Sequence, residues 1–225
     1  LAEALQEAGY STAHIGKWHL QAHHQTDRTH YPEANGFDLN IAGHRMGQPG
    51  SYYFPYKSRQ HPNTNVPDMD DGKAGDYLTD ALTDKAIAFI EAHQEQPFFL
   101  NRWYYTVHTP IIPRKDKLEK YRKKATAMGL DATMREARAD HQSFSHRYQD
   151  NAAYASMVES MNKHRAPIST TLRSLALYNT NMILLFYDKC ESCTGVTADL
   201  PTSGFPLCAG KTCVYEGSIR VPLIV

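Results

Sequence analysis

Two side chains near the N-terminus, Lys17 and His19, have the types and the spacing for chemistry on an anion. They stand in the run Gly9-Tyr10-Ser11-Thr12-Ala13-His14-Ile15-Gly16-Lys17-Trp18-His19-Leu20. The local pattern predicts their setting. Leu1 to Ala8 (LAEALQEA) reads as a short amphipathic helix that stops at Gly9. Tyr10 to Ile15 alternates toward a buried strand, and Gly16 releases the chain into a turn. Lys17 and His19 therefore follow the carboxyl end of a strand, which is where open α/β sheets bind ligands. A cation and an imidazole placed there suit an anionic substrate that also needs proton transfer. A solvated lysine and a turn-capping histidine fit the same spacing, so both readings stay open at this point.

Further landmarks recur along the chain. Gly36-Phe37-Asp38 follows the first run, and Pro97-Phe98-Phe99-Leu100 leads to His108-Thr109-Pro110. Tyr154-Ala155-Ser156-Met157-Val158-Glu159-Ser160-Met161 comes next, then Gly210-Lys211 and Tyr215-Glu216-Gly217-Ser218-Ile219-Arg220-Val221-Pro222. In type and order these segments resemble the type I sulfatases, whose second signature is similar to Gly9–Leu20. The resemblance runs over almost the whole chain, 1–225. It implies an α/β fold of the alkaline phosphatase superfamily and hydrolysis of a sulfate ester of a sugar or aryl alcohol.

A sulfate monoester is a tetrahedral anion whose charge moves to the leaving oxygen during cleavage. Its site needs cations on the non-bridging oxygens, an acid for the leaving group and a base to recycle the nucleophile. By resemblance, Lys17 and Lys211 grip sulfate oxygens, and His108 contacts sulfate and protonates the leaving oxygen. His19 holds the hydrated formylglycine and helps eject sulfate. Taken alone, His108 in Thr-Val-His-Thr-Pro also reads as a strand-end histidine capping a turn. The resemblance further implies a sulfated small molecule or glycan as partner and an exported location, periplasmic, extracellular or lysosomal.

Departures from the family pattern are as informative. The family's nucleophile comes from a C/S-x-P-x-R motif, and none of Cys190, Cys193, Cys208 or Cys213 is followed by x-Pro-x-Arg. The family's N-terminal Asp pair has no counterpart either, so the chain reads as an internal fragment with its formylglycine elsewhere. For the family's Ca²⁺, Asp188 falls where a ligand belongs. Lys189 and Cys190 replace the Asn and Gly that should follow, and Ca²⁺ takes oxygen ligands, which an ammonium cannot supply. Two readings follow, a working sulfatase or a catalytically inactive member that binds sulfated ligands. The Cys190-x-x-Cys193 and Cys208-x4-Cys213 pairs leave three options: a four-thiolate zinc site, disulfides or incidental thiols.

The elements that must position these residues follow from periodicity. Tyr77 to Ala92 reads as a helix, and Ser11–Ile15, Phe98–Thr106 and Met182–Tyr187 as strands of one mainly parallel sheet flanked by helices. Residues 21–76, rich in His, Pro, Gly and Asn, read as mostly loop; apart from Gly36-Phe37-Asp38 they carry no motif, and nothing in them identifies a substrate. Ile111 to Lys124 runs into a basic helix, whose cations form a solvated face or an anion patch. Residues 125–149 read as a polar, partly helical excursion, and Asn151–Met161 as a helix. With 225 residues, 41% of them hydrophobic, the chain can bury one substantial core. Its 24 Lys and Arg balance 24 Asp and Glu, so no bulk field points to nucleic acid. The longest apolar run, Met182 to Phe186, is too short to span a membrane.

Overall fold

The computed structural model describes residues 1–21, 27–130, 137–140, 143–186, 194–195, 200–207, 209–211 and 213–225. In chain order its helices are α1 (Ala2–Glu7), α2 (Leu78–Ala92), α3 (Lys115–Ala127), α4 (Ala152–Lys163), α5 (Arg165–Ser174) and α6 (Glu216–Ile219). Its strands are β1 (Ser11–Gly16), β2 (Leu39–Ile41), β3 (Phe98–Trp103), β4 (Ala137–Asp140), β5 (Ser143–His146), β6 (Leu185–Phe186), β7 (Thr194–Gly195) and β8 (Leu223–Ile224). The chain forms two compact units, Leu1–Pro110 with Glu159–Thr180, and Ile111–Val158 with Asn181–Val225.

The first unit is built on a parallel sheet of order β2-β1-β3. Ser11 to Gly16 pair in register with Phe98 to Trp103, and Ala13 to Ile15 with Leu39 to Ile41. Parallel strands need crossovers, which put helices on the sheet faces. On one face lies α2, whose buried Leu78, Leu82, Ala86, Phe89 and Ile90 recur at helical spacing. Phe89 meets Phe98 edge-on at 5.9 Å. Burying each of the Leu, Ile and Phe side chains contributes roughly 1.5–3 kcal/mol, and the Ala86 methyl less. The opposite face packs Ala2, Trp18 and Phe37 with Phe99. α5 joins this unit through His164, whose Nε2 is 2.7 Å from Asp80 of α2.

The Gly36-Phe37-Asp38 motif is structural. Gly36, at φ 83°, passes so close to α1 that a Cβ would lie 2.3 Å from the amide nitrogen of Glu3. Asp38 accepts the Thr12 amide and hydroxyl, each at 2.9 Å, and Gln6 Nε2 at 2.6 Å. These donors hold its carboxyl below the usual carboxylate range, the Thr12 amide foremost. One carboxylate thus ties α1, β1 and the approach to β2.

In the second unit β4, β5 and β7 form an antiparallel sheet, and β6 pairs antiparallel with β8. Two expectations are corrected here. Met182–Leu184 is not strand; of the described residues in this run only Leu185–Phe186 pairs, in a two-stranded ribbon separate from the parallel sheet, and Tyr187 lies outside the described residues. The run is apolar, but Met182, Leu184 and Phe186 are exposed, and periodicity does not name a strand's partner. β3 ends at Trp103 rather than Thr106, because its partner β1 turns away at Gly16. The polar excursion 125–149 is partly helical as expected, since Ala125–Ala127 close α3, and its described residues further on include β4 and β5. Gly129, at φ 67°, ends α3, and Leu130 N–H returns to the Ala125 carbonyl at 2.9 Å. α3 buries no residue, and Arg114 and Lys117 both pair with Asp116, so this is a solvated helix face.

Candidate active site

The Gly16–Leu20 turn leaves β1 under tight control. Gly16 sits at φ 114°, and a Cβ there would lie 1.8 Å from the Trp103 carbonyl oxygen. That oxygen accepts the Lys17 amide at 3.2 Å and Arg102 Nη1 at 2.7 Å. Arg102 Nη1 also lies 3.5 Å from the Ile15 carbonyl, so one guanidinium clamps the ends of β1 and β3. Its Nε and Nη2 are buried with no hydrogen-bond partner among the described residues. Burial lowers its pKa to about 10. Trp18 anchors the turn in the core and donates its indole N–H to the His30 carbonyl at 2.6 Å. Alternation about that anchor leaves Lys17 half-buried and His19 exposed.

His14, inside the same run, is a core residue. Asn101 Nδ2 donates to Nδ1 at 3.2 Å, so Nε2 must carry the proton given to the Gly16 carbonyl at 3.1 Å. Trp18 and Phe37 meet its ring edge-on at 5.0 and 5.6 Å. Burial lowers its pKa to about 4, so it stays neutral.

His19 is held from two sides by the loop after β2. Its backbone is left-handed, at φ 62°, and its amide donates to the His44 carbonyl at 3.0 Å. Its imidazole rests on Gly47. His44 is itself only 6% exposed, and its Nε2 has no partner among the described residues. Burial, then the nearby Arg45 and His19 charges, lower its pKa to about 4.

The loop after β3 carries His108. Its amide donates to the Tyr105 carbonyl at 2.9 Å, and its Nδ1 lies 3.1 Å from Thr109 Oγ1. Tyr52, fully buried, donates its hydroxyl to the carbonyls of Tyr105 at 2.7 Å and His108 at 2.9 Å. Tyr105 donates in turn to the Ala42 carbonyl at 2.7 Å, and its ring lies 6.3 Å from that of His44. Lys17, His19 and His108 thus follow the carboxyl ends of two adjacent parallel strands, with the loop after β2 linked to both.

Lys211 belongs to the second unit, half-buried in a turn. Asp188 lies outside the described residues, as do Lys189, Cys190, Cys193 and Cys208. Cys213 is a half-buried free thiol. Among the described residues no three His, Cys, Asp or Glu side chains form a group that could hold a metal ion. Among the described residues no site for Ca²⁺ is assembled, and the one candidate ligand from sequence, Asp188, lies outside them.

Sequence reasoning missed His44, Gly47, Tyr52, Tyr105 and Arg102. The one available signal is Gly43-His44-Arg45-Met46-Gly47, an imidazole and a guanidinium bracketed by glycines in otherwise featureless loop.

A parallel sheet with helices on its faces, and Lys17, His19 and His108 past the carboxyl ends of its strands, defines an α/β protein with candidate residues where such sheets bind ligands. The Sulfatase family model matches residues 1–225, and the chain belongs to that family. It is 33% identical over 127 residues to an arylsulfatase of Hemicentrotus pulcherrimus, covering 52% of this chain and 23% of that enzyme. It is 26% identical over 233 residues to arylsulfatase J of Mus musculus, covering 98% of this chain and 33% of that protein. In fold it is similar to Ps i-CgsB, crystallised with k-i-k-neocarrahexaose. That likeness has a TM-score of 0.66 and 23% identity, and covers 99% of this chain and 46% of that one. The fold is alkaline phosphatase-like, and the chain spans less than half the length of each of these proteins.

Proposed function

We propose that this chain works in a sulfuric ester hydrolase that cleaves the sulfate ester of a sugar or aryl alcohol. The observation that carries the reading is the placement of Lys17, His19 and His108 past adjacent strand ends, in a chain of the sulfatase family. Lys17 holds the non-bridging sulfate oxygens; a second cation, Lys211, is implied by the family resemblance alone. His108 binds sulfate and delivers a proton to the leaving oxygen, which then departs as an alcohol rather than an alkoxide. His19 steadies the nucleophile and helps release sulfate. The family's formylglycine supplies that nucleophile and its Ca²⁺ supplies charge when they are present; Asp188 is the residue that would reach the metal. The sugar reading draws support from Ps i-CgsB, crystallised in complex with k-i-k-neocarrahexaose. An exported location goes with such a substrate.

The test uses the full-length protein with a chromogenic aryl sulfate and a sulfated oligosaccharide. Release of sulfate, lost in Lys17→Ala and His108→Ala, supports the hydrolase. Binding of the sulfated ligand without release in the unaltered protein overturns it in favour of the inactive binder.

A further inference from the structure

Gly47 is buried, and the three atoms nearest to a Cβ built on it all belong to the His19 imidazole. Nδ1 would lie at 2.3 Å, Cε1 at 2.6 Å and Cγ at 2.9 Å. The ring lies against the backbone of this residue at a distance no side chain would permit. The backbone of Gly47 is not in the left-handed region, so no conformational demand calls for glycine there. The ring alone does. One residue-type choice in the loop after β2 is thus explained by an imidazole from the turn after β1.

The backbone of His19 is held as tightly. It is a non-glycine residue at φ 62°, a conformation that costs about 1–3 kcal/mol and persists only where surrounding structure imposes it. The carbonyl of His44, three residues before Gly47, fixes it through the His19 amide at 3.0 Å. His44 is locked in turn by burial and by its place beside the Tyr105 ring.

We propose that Gly47 is a positioning residue for His19. The segment from His44 to Gly47 sets the orientation of that imidazole by a backbone acceptor on one side and a bare backbone surface on the other. The proposal rests on the reading that His19 works in the sulfate site. Restoring an ordinary carbon contact of about 3.5–4 Å would move the ring by about 1 Å or more. A misplacement of that size is enough to cost about a hundredfold in rate.

The test is a double-mutant cycle in the full-length protein with Gly47→Ala, His19→Ala and the pair. Gly47→Ala should lower kcat by about tenfold to a hundredfold with KM little changed, and should add no further loss in the His19→Ala background. Losses that multiply, or an unaltered kcat, overturn the proposal. An activity-free readout runs beside it: the His19 ring resonance in proton–carbon NMR, assigned by its loss in His19→Ala. It should shift in Gly47→Ala while that of His14 stays in place; an unmoved His19 resonance also overturns the proposal. If the unaltered protein releases no sulfate, the hydrolase reading fails by itself and the resonance still decides on Gly47. If Gly47→Ala misfolds, folding regained in the double variant supports the ring contact, and misfolding of both counts against it.

Discussion

Gly16 meets the Trp103 carbonyl more closely than any residue bearing a Cβ could, because a Cβ on Gly16 would lie 1.8 Å from that oxygen. At φ 114° the backbone also disfavours any side chain. Gly16→Ala should therefore destabilise the full-length protein by about 2 kcal/mol or more, measured by urea unfolding. An alanine variant as stable as the parent would show that the two strand ends do not meet in this way.

His108 acts on the leaving oxygen in the proposed reaction, so its value depends on how badly that oxygen needs a proton. His108→Ala should depress turnover strongly with an alkyl or sugar sulfate and much less with a nitrophenyl sulfate. A Brønsted series of aryl sulfates checks this. Equal losses across the series would mean that His108 binds sulfate and transfers no proton.

Arg102 is a half-buried cation whose Nη1 donates to the Trp103 carbonyl and whose guanidinium lies 4.2 Å from the Tyr104 ring centroid, but whose buried Nε and Nη2 lack hydrogen-bond partners among the described residues. Buried donors left unpaired are costly, and an apolar side chain of similar length often does as well or better. Arg102→Met should leave the melting temperature unchanged or raise it. The clamp on the Ile15 and Trp103 carbonyls goes with it, so KM for the sulfate ester should rise. A fall in stability of about 3 kcal/mol or more would instead identify a buried ion pair formed by Arg102 in the full-length protein.

Two buried imidazoles set an acid limit on this unit. His14 and His44 titrate near pH 4 in the folded chain, against 6.5 unfolded. Between those values the unfolded chain takes up protons that the folded chain refuses. Stability therefore falls as pH drops from 6.5 to 4, by roughly 3 kcal/mol for each imidazole at most. Urea unfolding at pH 7 and pH 4.5 measures the loss. His44→Gln should reduce it by about half, and a variant with the parent's full loss would remove His44 from the account.

On the register that the sulfatase resemblance implies, Lys189 takes the place of a neutral oxygen ligand to Ca²⁺, and that register is open to test. Lys189→Asn in the full-length protein should tighten Ca²⁺ binding and raise turnover, and Asp188→Ala should lower both. Calorimetric Ca²⁺ titration of the three proteins decides. An Asn variant with unchanged affinity and rate would show that the register assigned from Met161 to Asp188 is wrong.

Much of the first unit was legible in sequence because its signals are local. Gly9 and Gly16 punctuate the chain where the backbone must turn, and Leu78, Leu82, Ala86, Phe89 and Ile90 recur at helical spacing. The placement of Lys17, His19 and His108 follows from such signals, since each stands a few residues past a strand. Tertiary structure decided the rest. Apolar content at Met182–Phe186 does not say which strand, if any, will pair with it, and the described part pairs with β8. The support of His19 by His44 and Gly47 joins residues with no common motif. It exists only because parallel pairing lays β1 beside β2 and leaves the loops that follow them adjacent. A glycine needed for another residue's ring has no signature along the chain; the constraint lives in the space between two loops.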